Sequence, residues 1–403
     1  MGIEIHAQLT AATKLFSGAA AAFSSAARPN SRVSYFDAAL PGTLPVLNAA
    51  CVAQGVRAAL ALRADVHLTS RFDRKHYFYA DLPLGYQITQ QDACLATRGA
   101  LTVAVPKTRE NAARFDVYER TIRVARVQLE QDSGKSLHEF DPRYSMIDLN
   151  RAGCALVEIV SEPDIRSADE AGAYVRKIQQ LLRRVGACDG NMEEGSLRCD
   201  VNISVRERGA GGGGGGGGGG ADGVESSFSG DVTTMGERVE VKNLNSVRSV
   251  VRAVDYEAAR QIEAAEAGNP QLVHETRTFD VSTGCTTRMR AKESAPDYRF
   301  LPDPDLPPLV LEQAFVDAIA AALPELPDEV RERLMVDYGL SLYDAEVLVD
   351  EPCAAEYFDA VLVELLAGTG ADVGGGGAGG EGTKKKENGK TLAKQALNWV
   401  TNE

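Results

Sequence analysis

Four stretches of this chain alternate apolar and polar residues strictly, and that pattern constrains the fold more than any other feature. In MEEGSLRCDVNIS (Met192–Ser204), Leu197, Cys199, Val201 and Ile203 would point to one side of an extended chain, with Arg198, Asp200 and Asn202 on the other. A period of two is the signature of a half-buried strand. GIEIHAQL puts Glu4, His6 and Gln8 on one face against Ile3 and Ile5. RVARVQLEQDSGK aligns Arg126, Gln128, Glu130 and Asp132 around inward Val127 and Leu129. RVEVKNLNS aligns Glu240 and Lys242, then continues into Asn243 and Asn245.

Each polar face taken singly has a plain explanation, a strand edge in water, and Glu193 and Glu194 taken alone read as a solvated turn. Convergence of residue type changes the reading. Hard oxygen ligands such as Glu4, Glu130, Asp132 and Asp200, with one imidazole from His6, suit Mg2+ that keeps several waters beside phosphates. Arg126, Lys135, Arg198 and Lys242 are groups that stabilise transferring phosphoryl oxygens. The mixture suits nucleotide-and-metal chemistry better than acid–base hydrolysis. A further dense stretch, SRFDRKHYFYADLPLGYQITQ (Ser70–Gln90), interleaves Arg71, Arg74, Lys75 and His76 with Tyr77, Tyr79 and Tyr86. Such interleaving either stacks on bases or anchors an ordinary loop.

Several classes are excluded. The sequence has neither GxxxxGK[ST] nor GxGxxG after a strand, no GxSxG, and no nucleophilic cysteine context. The net charge of −14 over 403 residues argues against bulk binding to a nucleic-acid backbone. Seven scattered cysteines without CxxC fit buried thiols in a reducing compartment. No apolar run has membrane-spanning length. The N-terminus opens on a strand pattern with no presequence character, which reads as a cytosolic chain or one shown without its presequence.

Two glycine tracts interrupt the chain, at 208–223 and within 370–390. The first reads as an expanded loop between strands, because loop closure costs grow only logarithmically. Helices are expected over SADEAGAYVRKIQQLLRRVG, with a capping box from Ser167 and Glu170, and over NSVRSVVRAVDYEAARQIEAAEAG. The apolar stripe of the first runs through Ala171, Tyr174, Val175, Ile178, Leu181, Leu182 and Val185. That of the second runs through Val247, Val250, Val251, Val254, Ala258 and Ile262. Strands mixed with helices to about Leu306, then helices alone, make an α+β chain.

The motifs PGTLPVLN, FDRKHYFY, DLPLGYQITQ, LEQDSGKS, DLNRAG, EIVSEPDIRS, MEEGSLRCDVNISV, VKNLNS, ETRTFD and DYRFLPDPDLPP follow one another in order. In this the chain resembles the B subunit family of aspartyl/glutamyl-tRNA amidotransferases, from its first residues to about Pro308 and more loosely beyond. The related archaeal-type E subunit carries a large inserted domain, and only a glycine tract stands here.

The resemblance implies a cradle-like mixed or antiparallel sheet domain with flanking helices over 1–306, followed by a small helical domain over 307–369. A Gly/Lys-rich linker would cover 370–392, and 393–403 would begin a further helical or tail region. It implies that ATP and Mg2+ phosphorylate the side-chain carboxylate of tRNA-bound glutamate or aspartate. Ammonia from a glutaminase A subunit, bridged by a small C subunit, then gives Gln-tRNA(Gln) or Asn-tRNA(Asn). By motif, Glu4, His6, Glu130 and Asp200 are expected to hold the metal, and Lys75, Arg126, Lys135, Arg198 and Lys242 the phosphate or acyl phosphate. Asp132, Glu193, Asn202, Asn243 and Asn245 are expected at the nucleotide, and Arg74, Tyr77, Tyr79 and Tyr86 at the tRNA.

The chain departs from the family pattern in places. Ser17, Ala19, Ser34 and Asp37 stand where some members carry zinc-ligating cysteines, so no zinc is expected. Gln128 replaces a histidine, and Ala80 and Leu84 replace Pro and Lys. Members continue beyond this C-terminus with a tRNA-gripping tail. The expected address is mitochondrial, or also plastid, for a nuclear gene and cytoplasmic otherwise. A non-catalytic tRNA-binding scaffold and a free-standing carboxylate kinase are the competing readings. ATP turnover stimulated by Glu-tRNA(Gln) separates the enzyme from the scaffold.

Overall fold

The computed structural model describes residues 1–21, 27–107, 117–138, 141, 143–206, 236–267, 273–291, 297–351, 353–369 and 381–402. The glycine tract at 208–223 lies outside the described residues. The chain opens with β1 (Gly2–Gln8) and α1 (Ala49–Ala61), followed by the short strands β2 (Asp65–Val66) and β3 (Thr69–Ser70). Then come β4 (Asp73–His76), β5 (Tyr86–Thr89), β6 (Ala96–Pro106) and β7 (Val117–Gln131). A small hairpin, β8 (Lys135–Leu137) with β9 (Met146–Asp148), precedes β10 (Ala155–Ser161) and α2 (Ala168–Arg184). β11 (Leu197–Ile203), β12 (Val239–Leu244), α3 (Val247–Glu266), β13 (Glu275–Asp280) and β14 (Cys285–Ala291) complete the main body. After β15 (Leu301–Pro302) and β16 (Leu309–Val310) the described residues form only helices: α4 (Gln313–Ala321), α5 (Pro327–Tyr338), α6 (Leu342–Asp350), α7 (Ala354–Thr369) and α8 (Glu381–Asn402).

Twelve strands form one open mixed sheet, ordered β14-β13-β12-β11-β1-β10-β7-β5-β4-β15, with β6 beside β7 and β2 beside β6. The α+β reading holds. Neighbours are antiparallel except β12 and β13, which run parallel because α3 carries the chain between them. The expected alternation is seen in β11, where Leu197, Cys199, Val201 and Ile203 are buried and Arg198, Asp200 and Asn202 are half-buried. α1, α2 and α3 supply apolar side chains to the core on the other face.

α2 begins where Ser167 accepts the Glu170 backbone N–H at 3.1 Å, a cap worth about 1 kcal/mol. The capping box is not closed as expected. The Glu170 carboxylate takes the Arg166 N–H at 2.7 Å and the Tyr118 hydroxyl at 3.0 Å instead. The whole predicted apolar stripe of α2 is buried. In α3 the stripe is rotated: Ile262 is exposed and Ala258 half-buried, while Ala253, Glu257 and Gln261 are buried. Glu257 can face inward because guanidinium groups from Arg260 and Arg277 meet it there.

Leu306, Leu311, Val316 and Ile319 share the first core, so α4 packs with the sheet body beyond the expected boundary at residue 306. A second core joins Val330, Leu334, Leu348, Phe358 and Leu362 to Ala393, Ala396 and Leu397 of α8. Residues 381–392, expected as linker, are helical. The apolar residues that follow at 393–397 need a face to bury, and the helix reaches back through the polar stretch. α2 meets the helical part through charge: Lys177 pairs with Asp328 and Arg184 with Glu356.

Where some family members carry cysteines, Lys14 and Asp37 form a buried ion pair at 2.9 Å. Asp37 also accepts the Ser17 hydroxyl at 3.0 Å and the Ser34 backbone N–H at 2.9 Å. Of the seven thiols, Cys285 is half-buried and Cys353 exposed, while the others are buried as expected.

Candidate active site

Register assembles the polar rows. β1 lies between β11 and β10, so Glu4 sits opposite Asp200, and His6 is flanked by Arg198 on one side and Glu158 on the other. β10 then places Glu158 beside Gln128, and β7 places Glu130 beside Thr89 of β5. Because side chains alternate, these residues lie on one face of the sheet. On that face is a hollow of about 430 Å3 lined by His6, Lys75, Glu130, Asp132, Arg198, Asp200 and Lys242 among others.

At its floor His6 Nε2 is 3.3 Å from Glu130 Oε1. Gln128 Nε2 donates to Glu158 Oε2 at 2.6 Å and to Thr89 Oγ1 at 3.0 Å. Thr89 Oγ1 donates in turn to Glu130 Oε2 at 3.2 Å. One amide therefore holds both carboxylates in place. Burial, and then the Glu158 carboxylate, raise the Glu130 pKa to about 7 against the partial offset of His6 and Lys75. Burial and Glu158 likewise raise that of Glu4.

Ligating atoms of His6, Glu130 and Glu158 lie within 4.8 Å of one another, and so do those of Glu4, Asp200 and Glu240. The second group is already answered by Lys242, which pairs with Asp200 and, at 3.0 Å, with Glu240. Burial pulls the Lys242 ammonium down, but those two carboxylates outweigh it and hold its pKa high. The first group is short of positive charge, and beside it Gln128 Oε1 is buried without a hydrogen-bond partner. A hard divalent cation, which takes carboxylate, imidazole and amide oxygen together, fits that donor set. Arg198 Nη2 donates to Asp132 Oδ2 at 2.7 Å, and Asp132 raises the guanidinium pKa.

The structure sorts the sequence-expected residues. His6, Glu130, Asp200, Lys75, Arg198, Lys242, Asp132, Asn243, Asn245 and Tyr77 line the hollow. Glu4 and Asn202 stand on the same face, joined by a 3.1 Å hydrogen bond. Arg126 shares the face but lies in the row of Val160 and Thr97, outside the lining. Lys135 is exposed on the β8–β9 hairpin, because the DSGK turn carries it off the sheet, and it does not reach the hollow. Glu193 is exposed in the turn before β11, its N–H bonded to Asn191, and also lies outside.

Arg74 is committed to Asp303 at 3.0 Å and Asp305 at 2.8 Å, and it lies 4.3 Å over the Tyr86 ring. This pair is therefore spent on anchoring β15, whereas Tyr79 is exposed.

Glu158 was not read from the sequence. Its signal was a single acid inside the apolar run ALVEIVS, where an unpaired charge would be costly. Thr89, in an uncharged strand, gave none.

A model of the GatB/GatE catalytic domain matches residues 1–317. The chain is 47% identical over 404 residues to the B subunit of the mitochondrial glutamyl-tRNA(Gln) amidotransferase of Phytophthora infestans, covering 90% of this chain and 69% of that one. It is 47% identical over 403 residues to the B subunit of the aspartyl/glutamyl-tRNA(Asn/Gln) amidotransferase of Caulobacter vibrioides, covering 100% and 71%. With the protein of the same name from Granulibacter bethesdensis it shares 51% over 361 residues, covering 90% and 68%.

Proposed function

The chain belongs to the GatB/GatE catalytic-domain family, and from that premise we propose that it is the synthetic B subunit of a tRNA-dependent amidotransferase. Its reaction is ATP-dependent. A side-chain carboxylate oxygen of tRNA-bound glutamate or aspartate attacks the γ-phosphorus of ATP. The bond to ADP breaks and an acyl phosphate forms. Ammonia then attacks the acyl carbon, phosphate leaves, and a proton is lost to give the amide.

The observation that carries this reading is the packing of His6, Glu130 and buried Glu158 within ligating reach of one another, with His6 and Glu130 lining a hollow walled by Lys75, Arg198 and Lys242. A carboxylate is a poor acyl donor, so the chemistry needs charge stabilisation at phosphoryl oxygens, not a nucleophile from the protein. His6, Glu130 and Glu158 would hold Mg2+, with Glu4 and Asp200 beside them. When bound, that ion neutralises phosphate charge.

Arg198, kept cationic and aimed by Asp132, meets the phosphoryl group, and Lys75 approaches from the β4 side. Lys242 holds Asp200 and Glu240 in place until the nucleotide arrives. Asp132, Asn202, Asn243 and Asn245 supply polar contacts to the nucleotide, and Tyr77 and Tyr79 face the tRNA. The sequence carries no glutaminase motif, and a glutaminase A subunit with a small C subunit would supply the ammonia. Both Glu-tRNA(Gln) and Asp-tRNA(Asn) fit the chemistry. The Phytophthora relative, named as mitochondrial, supports a mitochondrial address for a nuclear-encoded chain.

The test is co-expression with A and C subunits and an amidation assay on each charged tRNA. Glu130→Gln should abolish ATP-dependent amide formation while the partner still hydrolyses glutamine. Near-normal amidation by that variant would sink the reading.

A further inference from the structure

A second hollow, of about 520 Å3, adjoins the acidic one and shares Lys75 and Tyr77 with it. Its wall is aromatic. The Tyr77 ring lies 5.7 Å from that of Tyr79 and 6.2 Å from that of Tyr298, and Tyr298 lies 5.9 Å from Phe300, each pair edge to face. Phe78 also lines it, 86% exposed, its ring edge 3.3 Å from where a Cβ on Gly85 would stand. The segment carrying Tyr298 is tied down: the His76 N–H donates to the Tyr298 carbonyl at 2.8 Å, and His76 Nδ1 lies 2.9 Å from the Arg299 carbonyl. Lys75 Nζ sits 5.0 Å from the Tyr298 ring centre, a cation–π distance. Half-buried Tyr77 and Tyr298 held beside exposed Phe78 and Tyr79 make a stacking surface without its partner.

We propose that this hollow takes the purine ring of the 3′-terminal adenosine of the aminoacyl-tRNA. The esterified amino acid would run past Lys75 into the acidic hollow. This deepens the function proposed above and rests on it. The rim decides between the two adenosines of the reaction. A terminal nucleotide must leave its 5′ side free for the rest of the polymer, and the rim residues Phe78 and Tyr79 are 86% and 58% exposed, so solvent is at hand on their side. Arg299, 82% exposed in the same lining, lies 3.5 Å from the equally solvated Asp297 and would exchange that weak partner for the penultimate phosphate. Stacking also tolerates either tRNA body, because only the shared terminal base is held.

The experiment uses the full amidotransferase complex carrying Phe78→Ala, Tyr298→Ala or Tyr298→Phe. The two alanine variants should raise KM for charged tRNA by about tenfold to a hundredfold. They should leave KM for ATP within about twofold of wild type, and Tyr298→Phe should behave as wild type. Unchanged glutamine hydrolysis and Tm would show that the variants are folded. A helix-ended RNA with 2-aminopurine at its 3′ terminus should lose fluorescence on binding the wild-type complex, and not on binding Tyr298→Ala. A rise in KM for ATP alone would give the hollow to the nucleotide and overturn the proposal, as would two unchanged KM values. A wild-type complex that forms no amide sinks the functional reading instead, and the fluorescence measurement then decides this one by itself.

Discussion

Glu257 and Glu130 are both buried carboxylates on the same sheet body, and their surroundings are opposite. Glu257, 0% exposed, accepts from Arg260 at 2.7 and 2.9 Å, Gln261 at 2.8 Å and Thr286 at 2.9 Å, with Arg277 at 3.5 Å. Around it Arg260, Arg277 and Arg288 also serve Glu275. Glu130, 2% exposed, accepts from Thr89, lies beside His6, and faces another carboxylate in Glu158. The first cluster is closed: each carboxylate meets at least two guanidinium groups inside the fold, and it serves stability. The second has only His6 and the more distant Lys75 to offset two carboxylates, which leaves room for a cation from outside.

The largest separation between the two should come from paired substitutions. Glu158→Gln should lower amide formation on the order of a hundredfold to a thousandfold with little loss of stability. Glu257→Gln should leave turnover per folded molecule within about twofold, and equal losses in the two variants would break the comparison. Stability should report the reverse. Glu257→Ala leaves Arg260 and Arg277 facing a gap and should cost about 3–5 kcal/mol in urea unfolding.

Divalent binding comes next. His6→Ala should weaken Mn2+ binding, read by calorimetry, by roughly tenfold or more, whereas Glu257→Gln should leave it unchanged.

A smaller effect is the pH dependence. The Glu130 pKa is raised from 4.5 to about 7, so its protonated form favours the folded state. That contribution is whole below about pH 4.5 and disappears as the pH rises through about 7. Without divalent ions, Tm should therefore fall more steeply between pH 5 and 8 in wild type than in Glu130→Gln, by about 2–4 °C. Added Mg2+ should restore it at the alkaline end. Glu193→Gln, in its solvated turn, should change amidation less than about twofold.

Much of the site was legible, and the failures share a cause. Arg198, Asp200, His6 and Glu130 were visible because each sits in an alternating strand. Lys135 failed because alternation ends at Gln131, and the turn after it carries the next residues elsewhere. Arg74 and Tyr86 read as an RNA-facing pair, since the sequence cannot show that Asp303 and Asp305, more than two hundred positions later, return to claim the guanidinium. Phe78 and Tyr298 line one hollow for the same reason: the strand pairing of Arg74 with Leu301 brings their segments side by side.

The sequence by itself determined which side of each strand is polar, where α2 begins, and that the chain is α+β. These follow from backbone geometry within a few residues, where successive side chains must alternate and a serine can cap the next turn. Tertiary structure alone decided that Glu158 stands between His6 and Gln128. It alone made the Glu257 cluster a closed one and left the Glu130 cluster in deficit. Neighbours across a sheet are set by the pairing of distant strands, and a charge is balanced or not by whatever that pairing brings within a few ångströms.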